Sequence, residues 1–144
     1  MTDKQNSRDF PMNCQPYHIY IVDDDDKCRQ SLKRLLKSLD YFIEDFSSAQ
    51  CFLDSVPVDY KSGILILDLR MPGMNGFELQ EKLNEMRSDL KIIFITADVQ
   101  PGDRDHAIRA GAVGFLQKPF QEESLVELIY KAINNTDEHI RKSY

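Results

Sequence analysis

Polar residues that can do chemistry stand directly after segments with the pattern of β-strands. They are three carboxylates, a hydroxyl and an ammonium: Asp23, Asp24, Asp68, Thr96 and Lys118. Carboxylates held close together repel one another, and a divalent cation relieves that repulsion. Mg²⁺ is the natural choice, because it takes carboxylate, water and phosphate oxygens. Beside such an ion, Asp68 can act as a carboxylate nucleophile toward phosphorus, while Lys118 and Thr96 hold phosphoryl oxygens.

Each of these residues also has an ordinary structural explanation when taken alone. Asp68 can cap the helix that follows it, Lys118 can be a surface lysine, and Thr96 can be a β-branched strand residue. Lys118 precedes Pro119, and cis peptide bonds are almost confined to X-Pro bonds. One hypothesis is therefore that this bond is cis and aims the lysine back at the other groups.

The first acidic run contains four aspartates, residues 23–26, and so leaves two registers open. If the strand before it ended one residue later, Asp24 and Asp25 would form the acidic pair. Val22 is the last apolar residue of that strand, which favours Asp23 and Asp24 as the pair. The next two aspartates then occupy the turn or the first helical position.

Strand and helix patterns alternate five times between residues 17 and 134. Short apolar runs predict strands at 17–22, 41–46, 64–67, 92–96 and 113–117. Helices are predicted at 27–39, 49–55, 75–86, 103–110 and 122–134. Such alternation favours a parallel sheet with helices on both faces, which gathers the strand ends at one edge.

Residue spacing gives further detail for the helices. Leu32, Leu35, Leu36 and Leu39 fall at helical spacing and predict one apolar stripe. Asn75 followed by Glu78 predicts a capping box.

The totals describe an ordinary single domain. The chain has 144 residues and a net charge of −6, which argues against non-specific binding to nucleic acid or to anionic membranes. Three cysteines without paired spacing indicate reduced thiols and fit the cytoplasm. No apolar run is long enough to span a membrane. Residues 1–16 are expected to be a flexible leader, and residues 135–144 a polar tail or the start of a linker.

Four ordered segments carry a resemblance to a known family. They are the runs Ile21–Asp25, Asp68–Gly76, Ile95–Ala97 and Ala110–Phe120. In residue type and order these runs look like the receiver domain of bacterial two-component response regulators, over about residues 18–134. The resemblance implies a CheY-like α/β fold: a five-stranded parallel sheet of order 2-1-3-4-5, with five helices on both faces.

The resemblance also implies roles for the residues at the strand ends. Asp68 would accept a phosphoryl group from a sensor histidine kinase or a histidine phosphotransfer protein. Asp24 would ligate Mg²⁺ directly, Asp23 directly or through water, and the backbone carbonyl of Arg70 would be a third protein ligand. Mn²⁺ would substitute for Mg²⁺. The chain would be a phosphoacceptor rather than an enzyme.

A switch would follow from the same resemblance. Thr96 and Lys118 would bind the phosphoryl group, and Phe115 matches the switch aromatic, which turns inward when Thr96 moves. The alternative for Phe115 is an ordinary core residue. The surface formed by the fourth helix, fifth strand and fifth helix would then change, and it could also form a homodimer. The chain would either act alone or be the input half of a transcription regulator with a helix-turn-helix output domain.

Three other classes of protein remain as alternatives. A Mg²⁺-dependent phosphohydrolase of the haloacid-dehalogenase type needs a second aspartate two residues after the nucleophile, where this chain has Arg70. A nucleotide or flavin module needs a glycine-rich loop after the first strand, where this chain has acids. An unphosphorylated pseudo-receiver would act by binding alone, and the intact set of site residues argues against it.

Overall fold

Apolar and amphipathic segments alternate along the chain, and the computed structural model folds them into five strands and five helices. It describes residues 17–55 and 63–142, with side chains to residue 134. The elements in chain order are β1 (His18–Val22), α1 (Asp26–Lys37), β2 (Phe42–Phe46), α2 (Ala49–Ser55), β3 (Ile64–Asp68), α3 (Gly76–Glu85), β4 (Lys91–Thr96), α4 (Asp103–Arg109), β5 (Gly114–Gln117) and α5 (Glu122–Lys142).

All strand pairs are parallel, and the sheet order is β2-β1-β3-β4-β5. The α/β class and the order 2-1-3-4-5 expected from the sequence are therefore confirmed. In the register of the central strands, Val22 lies opposite Leu67 and Asp68 lies opposite Ile95. The residues that follow β1 and β3 consequently meet at one edge of the sheet.

Alternating side chains along the strands separate two layers of core. On one face, isoleucines of β1, β3 and β4 pack against α1 and α5 through Leu32, Leu36, Leu125 and Ile129. On the other face, Leu65, Leu67 and Phe94 belong to a cluster that includes residues of α2, α3 and α4. Because both faces of the three inner strands are buried, these strands are almost wholly apolar.

Helix α1 is shorter than the sequence predicts. It begins after Asp25, whose side chain accepts hydrogen bonds from the amides of Lys27 and Cys28, and it ends at Lys37. Leu39 therefore lies beyond the helix and is 41% exposed, so its place in the predicted apolar stripe was wrong. The apolar spacing continued past the point where the backbone leaves the helix.

Helix α3 begins where the sequence predicts. Asn75 and Glu78 form the capping box, with each side chain accepting a hydrogen bond from the other residue's amide. Helix α5 continues to Lys142, past the predicted end near residue 134. The predicted leader lies outside the described residues.

Candidate functional site

The carboxyl ends of β1 and β3 bring three aspartates together. Asp23 follows β1, Asp68 is the last residue of β3, and these strands are neighbours in the sheet. One carboxylate oxygen from each of Asp23, Asp24 and Asp68 lies within 4.8 Å of the others. Asp23 and Asp68 are buried, whereas Asp24 is exposed. Among the described residues, this trio offers an all-oxygen set of the kind that hard divalent cations prefer.

Asp23 is fixed by partners on both of its carboxylate oxygens. Its Oδ1 accepts a hydrogen bond from the amide of Asp25 at 2.9 Å, and its Oδ2 accepts one from Lys118 Nζ at 2.9 Å. Its backbone carbonyl also accepts one from Arg29 Nη1 at 2.8 Å. Asp25, by contrast, caps α1, which favours the Asp23–Asp24 register over the alternative.

Asp68 is held in an environment that disfavours its charge. Burial and the adjacent charge of Asp23 raise the pKa of Asp68 to about 8, although the charge of Lys118 opposes that rise. The ionised carboxylate is thus unfavourable in the metal-free protein. A bound cation would reverse this balance, because an opposite charge favours the ionised form.

Lys118 reaches this cluster from the end of β5. Its peptide bond to Pro119 is cis, as hypothesised from the sequence, and its Nζ lies 3.9 Å from Asp68 Oδ2. Burial disfavours the ammonium, but the hydrogen bond and charge of Asp23 outweigh it and raise the pKa of Lys118. Lys118 therefore places a lasting positive charge beside two buried carboxylates.

Cys28 also borders the cluster, but its thiol has low reactivity. Burial, together with the Asp23 carboxylate, raises the pKa of the Cys28 thiol to about 12. Since the thiolate is the nucleophilic form, this thiol is not a reactive group at neutral pH.

Thr96 and Phe115 lie on adjacent strands, β4 and β5. The Thr96 hydroxyl is buried and donates to the carbonyl of Asp98 at 3.3 Å, and it accepts from the amide of Asp98 at 3.2 Å. The Phe115 ring is buried with its centroid 6.2 Å from that of Phe94. The guanidinium of Arg104 lies 5.7 Å above the ring. The Phe115 ring thus packs in the core in the conformation described here.

The side chain of Arg70 engages the start of α4. Its guanidinium forms an ion pair with Asp103, and its Nε donates to the carbonyl of Asp98 at 3.4 Å. From the sequence, only the Arg70 carbonyl was given a role, and this ion pair was not predicted. No local pattern could have revealed it, because the two partners are 33 positions apart.

Gly76 allows the segment after Asp68 to turn tightly into α3. A Cβ atom at this position would lie 2.7 Å from the carbonyl oxygen of Asp68 and 2.9 Å from the Phe94 ring. The Gly76 amide donates to the carbonyl of Leu69 at 2.9 Å, which closes the turn. Asp68 can therefore take up its position only because Gly76 has no side chain.

Comparison with protein families identifies the family to which the chain belongs. The family model described as "Response regulator receiver domain" matches residues 19–130. The chain belongs to this family. The receiver domain resembles the response regulator protein TmoT of Ectopseudomonas mendocina, with 43% identity over 122 residues, covering 85% of this chain and 55% of that protein. It also resembles the transcriptional regulatory protein FixJ of Bradyrhizobium diazoefficiens, with 37% identity over 120 residues, covering 83% of this chain and 58% of that protein.

Solved structures agree with this membership. The receiver domain superposes on the crystal structure of FixJ-N with a TM-score of 0.74 and 36% identity, covering 82% of this chain and 94% of that one. A CheY-like receiver from Methanospirillum hungatei gives a TM-score of 0.78 at 26% identity, covering 87% of this chain and 99% of that one. The chain spans about half the length of the curated relatives it matches. No helix among the described residues is long and apolar enough to cross a membrane.

Proposed function

We propose that this receiver domain is a phosphorylation-activated switch in which Asp68 accepts a phosphoryl group in a Mg²⁺-dependent reaction. The observation that carries the proposal is the single cluster of Asp23, Asp24, Asp68 and Lys118, in which three carboxylates and one ammonium converge at the sheet edge. A carboxylate trio suits a metal, and the adjacent ammonium suits the negative charge of a phosphoryl group.

In this proposal Mg²⁺ is held by Asp23, Asp24, Asp68 and the backbone carbonyl of Arg70, with Mn²⁺ as a substitute. When bound, the ion neutralises charge on the phosphoryl oxygens and on the carboxylates. One oxygen from each of the three carboxylates lies within 4.8 Å of the other two, which supports a common ion between them. Asp24 is the exposed member and offers the route from solvent.

The transfer forms one bond and breaks one bond. An Asp68 carboxylate oxygen attacks the phosphorus of a phosphohistidine, the bond between phosphorus and the imidazole nitrogen breaks, and its electron pair stays on that nitrogen. The Lys118 ammonium, 3.9 Å from Asp68 Oδ2, stabilises negative charge on the transferred group. The donor is a sensor histidine kinase or a histidine phosphotransfer protein. The domain acts as a phosphoacceptor and turns over no separate substrate.

The output proposed for the switch is the surface of α4, β5 and α5. The buried Thr96 hydroxyl has only loop partners from Asp98 among its described hydrogen bonds, so it can exchange them for a phosphoryl oxygen. Movement of Thr96 would alter the space beside Phe115, which lies on the neighbouring strand. The changed surface would control an output domain or another partner, and it is the proposed site of a homodimer.

The wider setting is also a proposal. Residues 17–134 form the receiver unit, and α5 continues beyond it to Lys142. Relatives such as FixJ are named transcriptional regulatory proteins, and the chain spans about half their length. This supports a role as the input half of a transcription regulator in the cytoplasm, where the free thiols of Cys28 and Cys51 stay reduced.

A phosphohydrolase remains the main enzymatic alternative, and Arg70 opposes it. The residue two positions after Asp68 would have to act as a general acid. This residue is Arg70, whose guanidinium is paired with Asp103. A guanidinium cannot give up a proton at neutral pH.

The test is the intact mass of the chain after incubation with acetyl phosphate and Mg²⁺. We expect one added phosphoryl group in the unsubstituted chain, and none in Asp68→Asn or in the presence of a chelator. Asp105→Asn is the matched control, because Asp105 is an exposed aspartate on α4 away from the cluster. Absence of the added mass in a folded chain that binds Mg²⁺ would overturn the proposal and favour a pseudo-receiver.

A further inference from the structure

Arg70 joins two parts of the molecule that the proposed switch must connect. Its backbone follows Asp68 by two residues, and its side chain pairs with Asp103, the first residue of α4. We infer that the Arg70 side chain is a positioning residue that transmits occupancy of the Asp68 site to the first turn of α4 through Asp103. This inference rests on the proposed function and adds a specific route to it.

The Arg70–Asp103 pair also contacts the loop between β4 and α4. Asp103 is buried, and its Oδ2 accepts hydrogen bonds from Arg70 and from the amide of Gln100, the latter at 2.9 Å. The Arg70 Nε also donates to the Asp98 carbonyl at 3.4 Å. One guanidinium therefore contacts both the beginning of the β4–α4 loop and the helix that the loop enters. The Asp103 side chain is 10% exposed and the Arg70 side chain 34%, so this partly buried ion pair fixes an arrangement more than it adds stability.

The first turn of α4 is also restrained by Arg104, whose Nη1 donates to the carbonyl of Phe115 at 3.2 Å. The residue before this turn, Gly102, has a φ of 88° and supplies no side-chain cap. Its conformation is one that glycine adopts readily, so the backbone can change direction there at low cost. The position of this turn consequently depends on the partners of Asp103 and of Arg104.

The other end of α4 is attached to α3. Gln80 Nε2 donates to the carbonyl of Ala107 at 3.1 Å, and Asn84 Nδ2 donates to the carbonyl of Ala110 at 3.0 Å. The rings of Phe77 and His106 stack with centroids 3.8 Å apart. The hydrogen bonds to Ala107 and Ala110 thus anchor α4 toward its C-terminal end, whereas Arg70 holds its N-terminal end, which is the geometry of a pivot.

A change at the site would act on this pivot directly. If the backbone around Arg70 moves when the site is filled, the guanidinium moves with it and displaces Asp103. The first turn of α4 then rotates about the end fixed by Gln80 and Asn84. This route reaches α4 through the Asp103 side chain, although Arg70 and the Thr96 hydroxyl also share the Asp98 carbonyl as an acceptor.

The experiment compares backbone amide chemical shifts of the full chain before and after addition of Mg²⁺ and beryllofluoride, a mimic of the phosphoryl group. Arg70→Gln removes the charge, and Asp103→Asn removes it while keeping an oxygen for the Gln100 amide. In each variant we expect the induced shift changes at residues 102–106 to fall by about half or more, while those at Asp23 and Asp24, which report occupancy of the site, persist. The double variant should lose no more than the single variants, because the two groups act as one pair.

Arg109→Gln and Asp105→Asn provide the matched controls. This second pair lies on the same helix, but both side chains are about four-fifths exposed and 3.9 Å apart. We expect both controls to keep the response of the unsubstituted chain. Full shift changes at residues 102–106 in Arg70→Gln and Asp103→Asn would overturn the inference, as would equal losses in the controls.

The outcome for the proposed function is read separately. If the unsubstituted chain gains no phosphoryl mass and shows no response to beryllofluoride, the proposed function fails. If it responds at every position, and the Arg70 and Asp103 variants respond at every position as well, only the route through Arg70 fails. Thermal unfolding of each variant establishes that a lost response does not come from a lost fold.

Discussion

Lys118 donates a hydrogen bond to Asp23 at 2.9 Å, although the two residues are 95 positions apart in the chain. Asp23 is fully buried, so its carboxylate requires a nearby positive charge. In the metal-free protein that charge is the Lys118 ammonium, which also lies 3.9 Å from Asp68. The same lysine thus compensates the acidic cluster in the metal-free protein, and in the proposed function it would also bind the phosphoryl group.

We expect Lys118→Met to destabilise the metal-free protein, because it leaves a buried carboxylate without its partner. The free energy of unfolding should fall by about 2–4 kcal/mol in chelator, and Mg²⁺ should restore much of the loss. Urea unfolding with and without Mg²⁺ measures both effects. Lys131→Met, at an exposed position on α5, should change neither value. A loss that Mg²⁺ leaves intact would show that Lys118 acts through packing and not through charge.

Asp68 gives a prediction about pH, and the direction follows from its raised pKa. The folded-state pKa of about 8 exceeds the ordinary value of 3.8, so the folded protein binds a proton that the unfolded chain releases. Stability in chelator should therefore decrease as pH rises from about 4 toward 8, by at most about 1.4 kcal/mol per pH unit. Asp68→Asn cannot ionise, and we expect it to remove this part of the decrease.

Urea unfolding of Asp68→Asn and of the unsubstituted chain at pH 5, 6, 7 and 8 in chelator tests this. The variant should be the more stable protein at pH 8, on the order of 2 kcal/mol, with a smaller gap at pH 5. The control is Asp54→Asn, which changes an exposed aspartate on α2. A gap that stays constant with pH would contradict a proton-linked origin.

The parallel sheet and the convergence of strand-end residues were predicted from patterns along the chain, whereas the strand order came from the family resemblance. Apolar runs mark the buried strands, and parallel connections bring their ends to one edge. The capping box of Asn75 and Glu78 is local in the same sense, and it was found. Leu39 shows the limit of spacing alone, since α1 ends two residues before it.

The partners of Arg70 and Arg29 could not be predicted in this way. Arg70 pairs with Asp103 across 33 positions, and Arg29 pairs with Asp45 of β2 across 16. Both pairs depend on how helices and loops pack against the folded sheet. The sequence around an arginine does not indicate which distant carboxylate it will contact. The steric role of Gly76 could not be predicted either, because it depends on the close approach of the end of β3, the start of α3 and the Phe94 ring.

Gly76→Ala tests whether the position of Asp68 depends on this close approach. The added Cβ would meet the carbonyl oxygen of Asp68 at 2.7 Å and the Phe94 ring at 2.9 Å, so either the backbone or the ring has to shift. We expect a loss of about 1–3 kcal/mol in the free energy of unfolding, typical of overpacking. We also expect slower phosphorylation by acetyl phosphate, because the carbonyl that moves belongs to the acceptor residue.

Asn75→Ala is the control at the adjacent position. It removes the cap of α3 and should cost about 1 kcal/mol, but it introduces no atom near Asp68. Urea unfolding and the rate of mass gain, measured on both variants, separate the two effects. If Asn75→Ala slows phosphorylation as much as Gly76→Ala at a similar loss of stability, the cause is loosening of α3. If only Gly76→Ala slows it, the contact with the Asp68 backbone sets the geometry of the acceptor.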